Sequence, residues 1–328
     1  MSRNKFIVIS LCIVIVFALW QWGGIRAFVE GNTGKREGDL AFRLFSDASS
    51  DSQLMSIIRE EAAKRRVEPV DAVIDRVWKA VPGYNGLEVD IEQTYQKAKA
   101  LPPGSDIPYQ YREIPPRVSL DDLSPEPIYR GNSNKPMVAM MINVAWGNEY
   151  IVPMLDTLDE AKVKATFFLD GSWLKKNVAL AKEIQKRGHQ IENHAYSHPN
   201  MSQLDDYRAR LEISKTKDLL KSELGVENRW FAPPSGDFNA RTVRQAADYG
   251  LKTVLWTLDT VDWRKPSPSS IVQKISQKVA PGSLILMHPT ESSSKALKEM
   301  ISVIRQKGLV LGTVEETLSS KRVDVPGS

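Results

Sequence analysis

Hydrophobic and polar positions along the chain fall into three regimes. Phe6 to Trp20 is apolar apart from Ser10, with Arg3 and Lys5 ahead of it and Trp22 just after. Basic residues, an apolar core and interfacial tryptophans are the pattern of a secretion signal or signal anchor. No clear A-x-A site follows, so residues 1–26 are expected to remain as an uncleaved membrane anchor, with the rest of the chain extracytoplasmic. Residues 27–60 are polar and read as a tether, with one helix around Leu54 to Arg66. In the second regime, residues 61–101, Val73, Ile74, Val77, Trp78 and Val81 recur at helical spacing, Leu87 to Ile91 alternates like a strand, and Glu92 to Leu101 is helical again. This predicts a small α+β unit. Prolines at 102, 103, 108, 115, 116, 125 and 127 then mark an extended linker over residues 102–135.

The third regime, residues 136–320, has a different character. Met137 to Ala145 is one continuous apolar run, which suits a parallel strand buried on both faces. Short apolar strands at Ala165, Ile191, Arg229, Lys252, Ser283 and Leu309 then alternate with amphipathic helices. Strand–helix alternation of this kind means parallel strands with helical crossovers. An open doubly wound sheet and a distorted (β/α) barrel of about seven parallel strands both fit, and the barrel is the expected fold.

Composition changes this picture little. The net charge of +4 is too small to argue for nucleic acid. Cys12, the one cysteine, lies within the apolar N-terminal run, so the folded part carries neither a disulfide nor a thiolate metal site.

The polar residues that could do chemistry follow the predicted strands. Asn143 ends the first, His194 follows the third, Pro234 and Gly236 follow the Arg229 strand, Asp259 and Asp262 follow Trp256, and His288 follows Leu286. In a parallel barrel these strand ends meet on one face, where active sites sit. His194 and His198, four apart, would present both imidazoles to one metal ion from a helical turn. His288 is a candidate general acid, and Asp259 or Asp262 could fix its tautomer. His189, just past a helix end, is read as structural.

Together these stretches resemble the NodB-type polysaccharide deacetylases, carbohydrate esterase family 4, over roughly Pro136 to Leu318. His194 to His198 is similar to the family's H-[ST]-x-x-H, Asp259 to Trp263 to D-x-x-D-W, and Leu284 to His288 to L-x-L-H. The Trp146-Gly147 pair looks like that of a sporulation-associated, membrane-anchored subgroup of Gram-positive spore formers. The resemblance implies metal-dependent hydrolysis of N-acetyl groups on a glycan such as peptidoglycan or chitin. It implies a divalent ion, usually zinc, on His194 and His198, His288 as the acid that protonates the leaving amine, and Asp262 as its orienting partner. Trp146, Pro234, Asp259 and Trp263 would contact substrate.

The departures fall at the catalytic positions. Asn143 stands where the family carries its base, and a carboxamide accepts no proton at neutral pH. Val144 or Ala145 stands at the third metal-ligand position. Ala232 stands where an arginine would hold the base. The metal is therefore expected to bind weakly or not at all. Three readings remain open: a deacetylase with a rewired base, a glycan-binding pseudoenzyme in envelope or spore assembly, and a different reaction on the same scaffold.

Overall fold

The computed structural model describes residues 37–102 and 104–323. The expected anchor lies outside the described residues, and among those described no helix is long and apolar enough to cross a membrane. The chain divides into two compact units, one running up to Lys64 and including Ile91–Pro108, the other comprising Arg65–Asp90 and the chain from Tyr109 on. In the first unit, helix α1 (Glu37–Arg65) begins well before the predicted Leu54. Lys99, which ends helix α2 (Ile91–Lys99), donates to Asp51 of α1 at 2.6 Å.

The second unit starts with a correction. The Val73–Val81 stretch, predicted as helical, is an antiparallel hairpin of β1 (Val73–Asp75) and β2 (Lys79–Val81), with Val73 opposite Val81. The Asp75 carboxylate accepts from the backbone N–H groups of Val77 and Trp78, both at 2.7 Å, and so holds a turn where the helix would have run. A short side chain that bonds its own neighbours competes with helical bonding, and apolar spacing does not record this. Strand β3 (Gly86–Val89) pairs antiparallel with β4 (Tyr111–Ile114), which lies inside the Pro-rich stretch. That stretch is extended, and part of it is built into the second unit. Ile128 is buried and joins the Thr253–Leu255 stretch as a strand-like seam: its N–H donates to Thr253 O and its carbonyl accepts from Leu255 N.

The rest of the unit alternates as the sequence pattern predicts. In order come β5 (Met137–Val144), α3 (Asn148–Glu160), β6 (Thr166–Leu169), α4 (Gly171–Lys176) and α5 (Val178–Lys186). Then follow β7 (Gln190–Asn193), α6 (Asp206–Leu224), β8 (Trp230–Phe231), α7 (Ala240–Asp248), β9 (Lys252–Thr253) and β10 (Leu258–Asp259). Last are α8 (Pro268–Lys278), β11 (Leu284–Met287), α9 (Glu291–Gln306), β12 (Val310–Gly312) and α10 (Val314–Leu318). The single helix predicted over 173–187 is broken at Asn177, whose backbone (φ −131°, ψ 36°) is not helical.

All pairings in this sheet are parallel, in the order β10-β11-β5-β6-β7-β8-β9, with β12 added against the start of β5. The sheet curls into a half-barrel. Leu284 near one end of the path and Val254 just past the other meet in a single cluster with Met141, Phe168, Trp230 and Ala232. Val314 and Leu318 of α10 complete that inner cluster, while the opposite strand faces, such as Val138, Met140 and Ile142, pack under the helices. All eight residues of β5 are buried, as its unbroken apolar run requires.

One glycine fixes how β5 leaves the sheet. Gly147 has φ +84°, and a Cβ built on it would lie 2.0 Å from the carbonyl oxygen of Pro289, in the loop after β11. Gly147→Ala therefore meets both a left-handed backbone and a steric clash. It is expected to lower stability by about 2–4 kcal/mol. Thermal melts check this, and a loss below about 1 kcal/mol would mean that the Pro289 loop yields readily.

Candidate active site

The alternation of side chains along each strand determines what reaches the mouth of the half-barrel. On β5, Ala139 and Met141 face the interior, and Asn143 is the next residue on that face. Ala145, one further alternate position on, lines the cavity, whereas Val144 is buried in the outer core. The structure thus resolves the alternative left by the sequence: Ala145 occupies the cavity side and Val144 does not.

The cavity has a volume of about 440 Å³ and is lined by Asn143, Ala145, Trp146, His194, His198, Ser235, Trp256, Asp259, Trp263, Leu286 and His288. Eight of these were singled out by sequence, Ala145 as one of two alternatives. Two nominated residues sit behind the wall. Asp262 is fully buried beneath His288, and Pro234 is buried while its neighbour Ser235 reaches the cavity. Trp256, Leu286 and Ser235 were missed. Trp256 lies over the turn after β8, where a Cβ on Gly236 would come within 2.6 Å of the indole. The glycine is the only sequence trace of that contact.

Asp262 and His288 form the best-defined pair. His288 Nδ1 lies 2.8 Å from Asp262 Oδ1, and the His288 backbone N–H donates to Oδ2 at 2.6 Å. Ser293 Oγ also donates to Oδ2. Burial acts to raise the Asp262 carboxyl, but the His288 imidazole and the other donors outweigh it and hold it below the usual carboxylate range. An ionised carboxylate only accepts, so the imidazole proton facing it sits on Nδ1 and Nε2 is left toward the cavity. Trp146 stacks on the same imidazole, with centroids 5.9 Å apart and planes 10° apart.

His194 and His198 are brought together, though not by a helical turn. They lie in the loop after β7, with ring centroids 5.2 Å apart, and Ala195 and His198 both have positive φ (60° and 57°). Asn193 accepts from Ala195 N, and Glu212 of α6 accepts from Tyr196 N, Ser197 N and Ser197 Oγ. These bonds hold the loop in its left-handed bends. His194 is fully enclosed, and its Nδ1–H donates to the Ala232 carbonyl at 2.7 Å, leaving Nε2 free as a ligand atom. Burial, then the neighbouring His198, push its pKa down to about 3, so the ring is neutral at ordinary pH. His189, read as structural, lies away from the cavity lining and accepts from Ala165 N.

Where the family resemblance expects a base, the Asn143 amide is buried, and its Oδ1 has no hydrogen-bond partner. Two imidazoles suit a divalent ion, but among the described residues no three His, Cys, Asp or Glu side chains are grouped to hold one. Asp170, which the sequence reading passed over, follows β6 directly, one residue past Leu169, the partner of Val144. It is buried with Oδ2 unpartnered, while its Oδ1 accepts from Ser172 Oγ and Trp173 N at the start of α4. Among the described residues the donor set therefore falls short of three protein ligands.

A curled parallel sheet with paired histidines and an Asp–His couple at its mouth defines a carbohydrate-esterase type of half-barrel. The family described as polysaccharide deacetylase matches residues 130–254. The chain is 46% identical over 275 residues to the uncharacterized protein YlxY of Bacillus subtilis, covering 84% of this chain and 86% of that one. It is 34% identical over 185 residues to a peptidoglycan-N-acetylglucosamine deacetylase of Bacillus cereus, covering 55% of this chain and 67% of that one. Among solved structures it is similar to a CE4 family pseudoenzyme from Bacillus anthracis, with TM-score 0.77, 43% identity, and coverage of 83% of this chain and 97% of that one. A mutant of that pseudoenzyme with restored enzymatic activity aligns at TM-score 0.76 and 42% identity, covering 82% of this chain and 99% of that one. The chain belongs to the polysaccharide deacetylase family.

The buried neutral His194 gives a pH test. Its folded pKa lies below the unfolded value, so its stabilising effect is complete above about pH 6.5 and is lost as pH falls toward 3. In chelator-treated protein, His194→Gln is expected to lose about 1–2 kcal/mol less stability than the parent between pH 6.5 and 5. Parallel curves in denaturant titrations at the two pH values would contradict this.

Proposed function

We propose that this protein is a catalytically silent member of its family, which binds an N-acetylated cell-wall glycan in the cleft over His288 without hydrolysing it. The observation that carries the reading is Asn143, a buried amide with an unpartnered oxygen at the level where a base would be needed. Ala145 and Ala232 point the same way, since neither supplies a ligand or a charge. The cleft itself persists: exposed Trp146 and Trp263 flank the Asp262–His288 pair and offer faces on which sugars stack. Peptidoglycan is the glycan favoured, because the 34% identical Bacillus cereus relative is named for acting on it. The restored activity of the Bacillus anthracis pseudoenzyme mutant supports a scaffold that is silent through few side chains.

In this reading residues 1–26 anchor the protein in the membrane and 27–60 tether it, so that the domain over 136–320 meets the wall outside the cytoplasm. The Trp146-Gly147 pair supports membership of a sporulation-associated subgroup. Within the cleft, His288 Nε2 donates to or accepts from a sugar substituent, and Asp262 keeps the ring in place. A divalent ion, zinc being the family's usual one, would rest on His194 and His198 alone and bind weakly.

The test is acetate release from N-acetylglucosamine oligomers and peptidoglycan, with and without added zinc. The parent is expected to release none while retaining binding. The triple variant Asn143→Asp, Ala145→Asp, Ala232→Arg is expected to gain zinc-dependent release on the order of 10²-fold above the parent's background, the scale of one restored general base. Zinc-dependent release by the unaltered protein would overturn the silent reading.

A further inference from the structure

Past Trp146 and Trp263 the cleft opens into a second cavity of about 760 Å³. Both indoles line both cavities, so a chain seated over His288 continues directly into the second space. Its volume falls within the ~300–1,000 Å³ of ordinary ligand pockets. Its floor is the Asp262–Trp263 segment, and Tyr150 lines it as well.

The charges in this cavity differ from those in the first. Glu149, in the first turn of α3, and Lys265, just past the Asp262–Arg264 turn, both line it and are both exposed. Neither side chain has a hydrogen-bond or ion-pair partner among the described residues. Lys265 is held in the left-handed region (φ 57°, ψ 46°), a backbone conformation unfavourable for a residue with a Cβ. Its charge reaches Glu291, which is itself paired with Lys295 at 2.5 Å; both of those side chains are largely exposed, so the pair exchanges partners readily. The hydroxyls and amides of a neutral sugar chain can hydrogen-bond to either side chain but carry no charge to match a cation and an anion in one cavity. A short peptide with a carboxylate and a free amino group matches both.

We infer that the second cavity binds the short peptide that branches from a peptidoglycan strand, with Lys265 taking a peptide carboxylate and Glu149 an amino group. This rests on the glycan-binding reading above and specifies the form of glycan the cleft takes: a strand still carrying its peptide. The sugar lies over Trp146 and His288, and the branch turns past Trp263.

The experiment compares two probes on the purified full chain by calorimetry. One is a disaccharide fragment of peptidoglycan with its tetrapeptide; the other is the same disaccharide after the peptide has been removed. The peptide-bearing fragment is expected to bind about five- to tenfold tighter, as two partly exposed ionic contacts allow, and the difference should shrink as salt is raised. Lys265→Asn keeps a residue that tolerates the left-handed backbone, and Glu149→Gln keeps the shape of its side chain. Each should remove most of the difference, and retained binding of the bare disaccharide reports that the variant is folded. Equal affinity of the parent for the two probes, or a difference that both variants retain, would overturn the assignment and leave the glycan reading standing. Failure of the parent to bind either probe would overturn both.

Discussion

The register of the parallel strands around β5 is the constraint on which the rest depends. β5 is buried along its whole length and is paired with β11, β6 and β12. Its in-register pairing with β6, and that of β6 with β7, sets one residue from each strand at each level of the interior face. Asn143 therefore lies level with Phe168 and above Met141, and Ala145 and His194 reach the mouth one step further on. Slipping β5 by one residue would turn Asn143 outward and bring Val144 into the cavity. Gly147 then lets the chain turn away beneath Pro289, which keeps Trp146 against the His288 ring.

Much of this was legible in the sequence because the signals were periodic. An apolar run of strand length, followed by amphipathic helices closed by glycine, reports parallel crossovers directly, and polar residues just past each run report the mouth. What the sequence hid depends on contacts that periodicity does not encode. The Asp75 turn converts a helix-like spacing into a hairpin. The bends at Ala195 and His198, tied down by Glu212, replace the helical turn inferred from a four-residue spacing. Trp256 reaches the cavity through a packing partner, Gly236, that is remote in sequence. Trp173 and Trp230 are buried, and their indole N–H groups donate to Asn148 and Glu315, a distinction from the exposed Trp146 and Trp263 that composition alone cannot draw.

The loss of charge in the interior is energetically consistent. A carboxylate at position 143 would be almost fully desolvated, and an isolated buried charge costs several kcal/mol unless a cation pairs with it. With Ala at 232, no lysine or arginine lines the cavity among the described residues. An amide with one orphan oxygen costs only about 1–3 kcal/mol. Given Ala232, Asn143 is thus the cheaper occupant, and given Asn143, an arginine at 232 would itself be a buried charge without a partner. Each neutral residue stabilises the choice of the other. The Ala232 carbonyl still orients His194 through a bond that requires no side chain.

The Asp262–His288 pair also has a structural role in the cleft, apart from any chemistry. The Asp262 carboxylate accepts from the His288 ring, from the His288 backbone N–H and from Ser293 Oγ in the first turn of α9. It therefore ties the turn after β10 to the end of β11 and the start of α9. Removing it would leave a backbone N–H and a hydroxyl without their acceptor at a buried junction, a loss large enough to preserve the residue for folding alone. Asn143 and Ala232 carry no such ties through their side chains. The contrast separates two kinds of position: Asp262 ties backbone segments of the site together, whereas the side chains at 143 and 232 tie none.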